Sequence, residues 1–250
     1  MAETFLMNSF IGKRLLALVR DGDYAHAGEE EAIDLTMTAL TGDRDRRLLD
    51  AGCGRGGTAA YVHDHGWGRV TGVDNEADSI AHARAAYPDV DFETADVDDL
   101  SGRFATSFDA VTMFNVLYAL PDHHRALMSL ADVCRPDATL LIFDFVDPGG
   151  FRKDALLEDG QPFLPNPIAV ADIEPRLAAA GWRLAELRDM DADYVRWYEV
   201  LVKRIDDKRR QMEDLAGPAG FAEVHRLYSG LLDVLKAGRL GGAIIAARRA

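Results

Sequence analysis

The spacing of apolar residues along the chain changes several times, and each change marks a new element. Residues 5 to 20 place Phe5, Leu6, Phe10, Leu15, Leu16 and Val19 at helical spacing, predicting a first helix. After the turn-rich "DGDYAHAG", residues 29 to 40 read as a second helix. "RRLLDA" (46–51) then reads as a buried strand and "GTAAYVHDH" (57–65) as a helix. The alternation continues with strand 69–74, helix 77–86, strands 90–96 and 108–116, helix 122–134 and strand 139–146. Strands alternating with helices at this spacing predict an α/β fold, a parallel sheet with helices on both faces.

The later part departs from that rhythm. "DPGGFRKDALLEDGQPFLPNP" (147–167) is rich in Gly and Pro and predicts a loop. A helix over 169–180 ends at Gly181, followed by the strand "WRLAELRDM". Two longer helices, about 192–214 and 219–237, are separated by "AGPAG", and "GGAIIAARR" (241–249) reads as a closing strand. The insertion over 191–240 is long against the few-residue loops that link strands in compact domains. Tyr194, Trp197, Leu201 and Ile205 form one helical stripe, and Phe221, Val224, Tyr228, Leu231 and Leu235 another. Such stripes are first of all core positions. A helical cap over a cleft also has an underside, which these aromatics would line.

Composition narrows the partners. A chain of 250 residues, 48% hydrophobic, suits one α/β domain with an elaboration. The net charge of -14, spread along the chain, argues against nucleic acid and anionic membranes. Cys53 and Cys134 form no C-x-x-C, and no acid-rich ligand cluster appears, so no metal is expected. No apolar run approaches the roughly 18 residues of a membrane helix. The basic pair Lys13–Arg14 follows the first apolar residues, the reverse of a signal peptide, so a cytoplasmic monomer or homodimer is expected.

The chemistry gathers at strand ends. In "RRLLDAGCGRGGTAAYV", Gly52, Gly54 and Gly57 satisfy G-x-G-x-x-G, a weak nucleotide signature by itself. Asp74 follows about twenty residues later, where a carboxylate suits a ribose diol of either NAD or S-adenosylmethionine. Asp50, directly before the glycines, separates the two. It would repel a pyrophosphate and favour a sulfonium and an ammonium group. Asp96 follows the third strand, placed to accept from an adenine amino group, and Asn115 and Val116 end the fourth. Each acid alone reads equally as a helix cap, and the glycines as a tight turn. Acids at successive strand ends point together to a ligand.

"LLDAGCGRGG", "VTGVDNEADSIAHAR", "ETADVDDL" and "FDAVTMFNVLYALPD" resemble successive motifs of the class I S-adenosylmethionine-dependent methyltransferases, and "CRPDATLLIFDFV" is similar to their fifth-strand segment. The resemblance runs over about 46–190 and fits the closing strand. It implies a Rossmann-like seven-stranded sheet, mostly parallel, with an antiparallel last strand. It implies that Gly52 and Gly54 pass the methionine portion of the cofactor, Asp74 takes the ribose and Asp96 the adenine. Asp50, Ala51, Cys53, Asn75, Val97, Asn115 and Val116 complete the expected cofactor set. The layout then divides into a helical lid (1–45), a cofactor-binding core (46–190), a helical substrate cap (191–240) and a closing strand (241–250). It is loosely similar to small-molecule methyltransferases of the glycine/sarcosine and phosphoethanolamine type.

The acceptor class must show in residues outside those motifs. A neutral amine needs little help as a nucleophile, whereas a hydroxyl usually needs a base. Tyr118 stands where many relatives carry a His facing the cofactor, and His26 is the second catalytic candidate. Tyr24, Tyr118, Asp144, Tyr194, Trp197 and Tyr228 are the expected substrate contacts. Asp144, between Phe143 and Phe145, must either reach the cleft or be paired. His123 and His124 read as surface residues. The expected reaction is methyl transfer from S-adenosylmethionine to a small molecule, nitrogen favoured over oxygen. The alternatives are a non-catalytic S-adenosylmethionine-binding protein and, third, an NAD-dependent oxidoreductase.

Overall fold

The run at 48–51 is buried on both faces, which a strand tolerates only at the centre of a covered sheet. A computed structural model describes residues 7, 9–105 and 107–250; Phe5 and Leu6 of the first predicted helix lie outside the described residues. The central strand is β1 (Arg47–Ala51), flanked by β2 (Arg69–Asp74) and β4 (Phe108–Phe114). With β3 (Asp91–Thr94), β5 (Cys134–Asp147), β6 (Trp182–Asp189) and β7 (Gly241–Arg249), the order is β3-β2-β1-β4-β5-β7-β6. β1 to β5 run parallel, and β7 lies antiparallel between β5 and β6. This is the mostly parallel seven-stranded arrangement expected, with a two-residue strand, Ile168–Ala169, added beside the end of β5. The strand order reverses between β1 and β4, opening a crevice at the carboxyl ends.

Alternate residues of each strand feed two cores. Leu48, Ala110 and Leu141 face one side, Leu49, Val111 and Leu140 the other. The second side is covered by α5 (His123–Val133) and α6 (Ile173–Ala179). The first receives α1 (Phe10–Arg20), α2 (Glu29–Met37), α3 (Gly57–Asp64) and α4 (Ala77–Ala86). It also receives α7 (Asp191–Asp207) and α8 (Arg209–Lys236). Helices from both ends of the chain therefore share one core with the sheet.

Several boundaries move from their expected places for identifiable reasons. α1 starts at Phe10 because the Ser9 hydroxyl caps it, accepting from Gly12 N. α2 ends at Met37 rather than residue 40. The break expected at "AGPAG" is a kink inside α8: Pro218 disfavours helical geometry before it, and Gly217 takes φ 71°. A further break falls at Lys208, which donates to the Leu18 carbonyl and ties the cap helices to α1. The expected loop at 147–167 contains a small hairpin, Leu157–Glu158 paired with Gln161–Pro162.

The most consequential shift is at the end of β4. The strand stops at Phe114, because Asn115 takes a left-handed φ of 53°. That residue turns the next three N–H groups toward Asp144 of β5. Asp144 Oδ2 accepts from Val116 N (3.0 Å), Leu117 N (2.6 Å) and Tyr118 N (3.4 Å), and Oδ1 from Phe145 N (2.7 Å). Asp144 is wholly buried and paired with backbone; it does not reach the cleft as a substrate contact. Asp144→Ala, which strands several buried donors, is expected to destabilise the fold by about 3 kcal/mol or more. Asp144→Asn, which keeps one acceptor oxygen, loses less; the midpoints of denaturant unfolding measure both.

Candidate active site

Three features build the cleft at the carboxyl ends of β1, β2 and β4. After β1, Gly52 (φ 81°) and Gly54 (φ 54°) turn the chain into α3 in a conformation side chains resist. A Cβ on Gly52 would stand 2.4 Å from Val116 Cγ2, so the glycine turn and the β4 turn touch only because no side chain intervenes. A Cβ on Gly54 would meet nothing within 4 Å; it faces open space. Gly54 N donates to Asp74 Oδ2 (2.9 Å), locking the turn to the end of β2.

Asp74 is the electrostatic centre. Its Oδ1 accepts from Glu76 N (2.9 Å) and from Lys13 Nζ (3.3 Å), and the same ammonium reaches Glu76 Oε2 at 2.9 Å. Lys13 comes from α1, so the first helix delivers a cation to the strand-end acids. Behind the glycines, Asp50 is buried and accepts from Thr112 Oγ1 (3.0 Å), while its Oδ2 has no partner. Burial, with the nearby Asp74 charge, pushes its carboxyl up to about 7. Asp96 is exposed and caps the short turn Val97–Asp99, accepting from Asp98 N.

A cavity of about 320 Å³ runs from these residues to the cap, within the range of small-ligand sites. Of the expected cofactor residues it brings together Gly52, Gly54, Asp74, Asn75, Asp96, Val97, Asn115 and Val116. Asp50, Ala51 and Cys53 form the buried floor behind them and do not line it. Burial raises the Cys53 thiol, so it is an inert packing residue. The other half is aromatic: Tyr118, Phe145, Phe163, Tyr198 and Tyr228, with Leu164. Tyr198 and Tyr228 stack at 6.2 Å, and Tyr118 meets Phe145 edge-on at 5.3 Å. Among the described residues, Lys13 is the only Lys, Arg or His on the wall.

Four expected contacts lie elsewhere. His26 is fully buried: its Nδ1 donates to Ala27 O (3.0 Å), and Nε2 accepts from Thr58 Oγ1 (3.0 Å). Its ring packs on Phe114, and burial drives its pKa down to about 3, so it is a neutral core residue. Tyr24 donates to Glu30 on the outside. Trp197 faces α2, donating to Glu31 Oε2 (2.8 Å). Tyr194, also buried, reaches Asn115 Oδ1 at 3.5 Å from behind the cavity. His123, read as a surface residue, is buried beside Asn166. Sequence reading missed Lys13, Phe163 and Tyr198. Only Tyr198 had a local signal, four residues after Tyr194 on the same helical stripe.

The donor set fits a cationic nucleotide. An orphaned buried carboxylate oxygen lies beneath the glycine turn, and two further acids line the wall against a single lysine. This sheet and this row of strand-end acids are the arrangement that the resemblance to class I S-adenosylmethionine-dependent methyltransferases implies. Residues 49–142 match a methyltransferase domain family. The chain is 35% identical over 97 residues to trans-aconitate 2-methyltransferase of Escherichia fergusonii, covering 38% of this chain and 37% of that one. The chain thus spans little more than a third of the length of that relative. It is 29% identical over 190 residues to O-methyltransferase cnsE of Penicillium expansum, covering 68% of each. Its fold matches that of Haemonchus contortus phosphoethanolamine N-methyltransferase 2, solved with S-adenosyl-L-methionine, at a TM-score of 0.82 and 16% identity. That match covers 95% of this chain and 56% of the other.

The depressed pKa of His26 has a sign that can be tested. The folded state holds the ring neutral, so its contribution to stability is present above pH 6.5 and lost as pH falls from there toward 3. The stability advantage of the native chain over His26→Gln is expected to shrink by about 1.4 kcal/mol per pH unit below 6.5. Denaturant unfolding of both proteins at pH 7.5, 6.5 and 5.5 measures it.

Proposed function

We propose that this protein transfers a methyl group to a small-molecule acceptor, to nitrogen in preference to oxygen. One observation carries the preference: among the described residues, no group able to act as a base at neutral pH lines the aromatic half of the cavity. The three tyrosines there are held protonated, burial raising each hydroxyl's pKa. His26 is sealed in the core and Asp144 is committed to backbone donors. An unprotonated amine needs no base to attack, whereas most hydroxyls do.

S-adenosylmethionine, when bound, supplies an electrophilic methyl group. In this reading Asp74 and Asp96 hold the nucleoside end, and the turns at Gly52 and Asn115 leave room for the rest. Tyr118, carried on the turn that Asp144 fixes, orients the acceptor. The lid (1–45) and the cap (191–240) exclude water and set the approach of the nucleophile. Phe163 and Leu164, beyond the hairpin, close the same side.

Calorimetric titration tests the cofactor half: S-adenosylhomocysteine is expected to bind one to one, and NAD not at all. Asp74→Ala is expected to weaken that binding by about 1.5–3 kcal/mol through loss of charged hydrogen bonds. A folded Asp74→Ala variant of unchanged affinity would falsify the assignment. The pH profile tests the nitrogen preference. With no enzyme base, the midpoint of kcat/KM is expected to follow the pKa of the acceptor amine when two amines of different basicity are compared. A midpoint that stays fixed would reveal an enzyme base and favour oxygen.

A further inference from the structure

The aromatic half of the cavity has an electrostatic character of its own. Its walls present ring faces and hydroxyls, and none of its described residues is a Lys, Arg or His. Lys13, the one cation on the cavity wall among the described residues, is already shared between Asp74 and Glu76 at the opposite end. The buried Arg20 guanidinium stands behind the wall, 3.0 Å from Glu29, a carboxylate it shares with Arg204. Negative charge, by contrast, lies close. Glu158, from the hairpin at 157–162, is buried and accepts from the backbone N–H of Met7, itself a wall residue. Asp144 lies beneath the turn that carries Tyr118. Burial raises the Tyr118 and Tyr228 hydroxyls; the charges of Asp144 and Glu158 add to this at Tyr118, and at Tyr228 Arg20 opposes it while Glu158 adds to it.

A carboxylate or phosphate on the acceptor would enter a desolvated space with no positive partner among the described wall residues and with the Glu158 carboxylate close by, an arrangement that costs heavily. An ammonium would meet tyrosine faces in the same field, where cation–π attraction and the buried acids both favour it. We infer that the acceptor is an amine with an apolar body and no acidic group, and that the cavity holds its methylated ammonium product by aromatic faces backed by Glu158. This rests on the methyl-transfer reading and narrows it. Trans-aconitate and phosphoethanolamine, in the names of two of the similar proteins, are both anionic, so the acceptor inferred here differs from them in charge.

The test uses binding, independent of turnover. Benzyltrimethylammonium and 4-carboxybenzyltrimethylammonium differ only by the carboxylate, and each is titrated into the full chain with and without saturating S-adenosylhomocysteine. The uncharged-ring probe is expected to bind about tenfold or more tightly than the carboxylated one. Glu158→Gln is expected to weaken the first probe severalfold while leaving S-adenosylhomocysteine affinity unchanged. Equal affinities, tighter binding of the carboxylated probe, or no binding of either overturns the inference. Failure of S-adenosylhomocysteine to bind overturns the methyl-transfer reading instead, and the comparison of the two probes on the free protein still decides this one.

Discussion

The Asp144 carboxylate is the constraint on which the rest of the site depends. Four backbone N–H groups converge on it, three of them from consecutive residues after β4. Three successive donors can face one acceptor only if the strand ends abruptly, and the left-handed Asn115 provides that ending. The turn in turn sets Val116 against Gly52, Asn115 on the cavity wall, and Tyr118 at the boundary between its two halves. A buried acid with backbone partners fixes the geometry of a loop that would otherwise sample many conformations. Burial pushes this carboxyl up to about 7, against the pull of its four donors.

A second theme is an uneven distribution of charge. Asp50, Asp74 and Glu76 gather where the strands end, and Lys13 answers them from α1. Asp74 is thereby held in one orientation, with both oxygens facing defined donors. Asp50 keeps one oxygen without a partner. A buried carboxylate oxygen left unsatisfied directly beneath the glycine turn marks a place where binding recovers free energy lost in folding.

What could be read from the sequence was whatever short stretches encode by themselves. The glycine turn after β1, the acids ending β2 and β3, and the alternation of strands and helices all depend on neighbours within a few residues. Asn115 was legible as a strand-end residue, though its backbone twist was not, because the cause lies in Asp144 on another strand. His26 looked available in a loop of small residues, and became core because that loop folds onto Thr58 and Phe114. Trp197 and Tyr198 are adjacent, yet one packs on α2 and the other on the cavity, a distinction set by the rotation of α7. Lys13 pairs with an acid 61 residues away, and no local pattern announces such a contact.

The position of β7 has a consequence for how the chain acquires its fold. β6 is hydrogen-bonded to the sheet only through β7, which inserts between it and β5. During synthesis, β1 to β5 can assemble in order as they emerge, but β6 has no partner until residues 241–249 exist. The helices α1 and α2, which precede the sheet in the chain, must likewise wait for α7 and α8 to cover their shared core. The nascent chain therefore carries an open edge on β5 and an uncovered apolar face until residues 241–249 have emerged, the condition in which strands pair wrongly and chaperones are engaged.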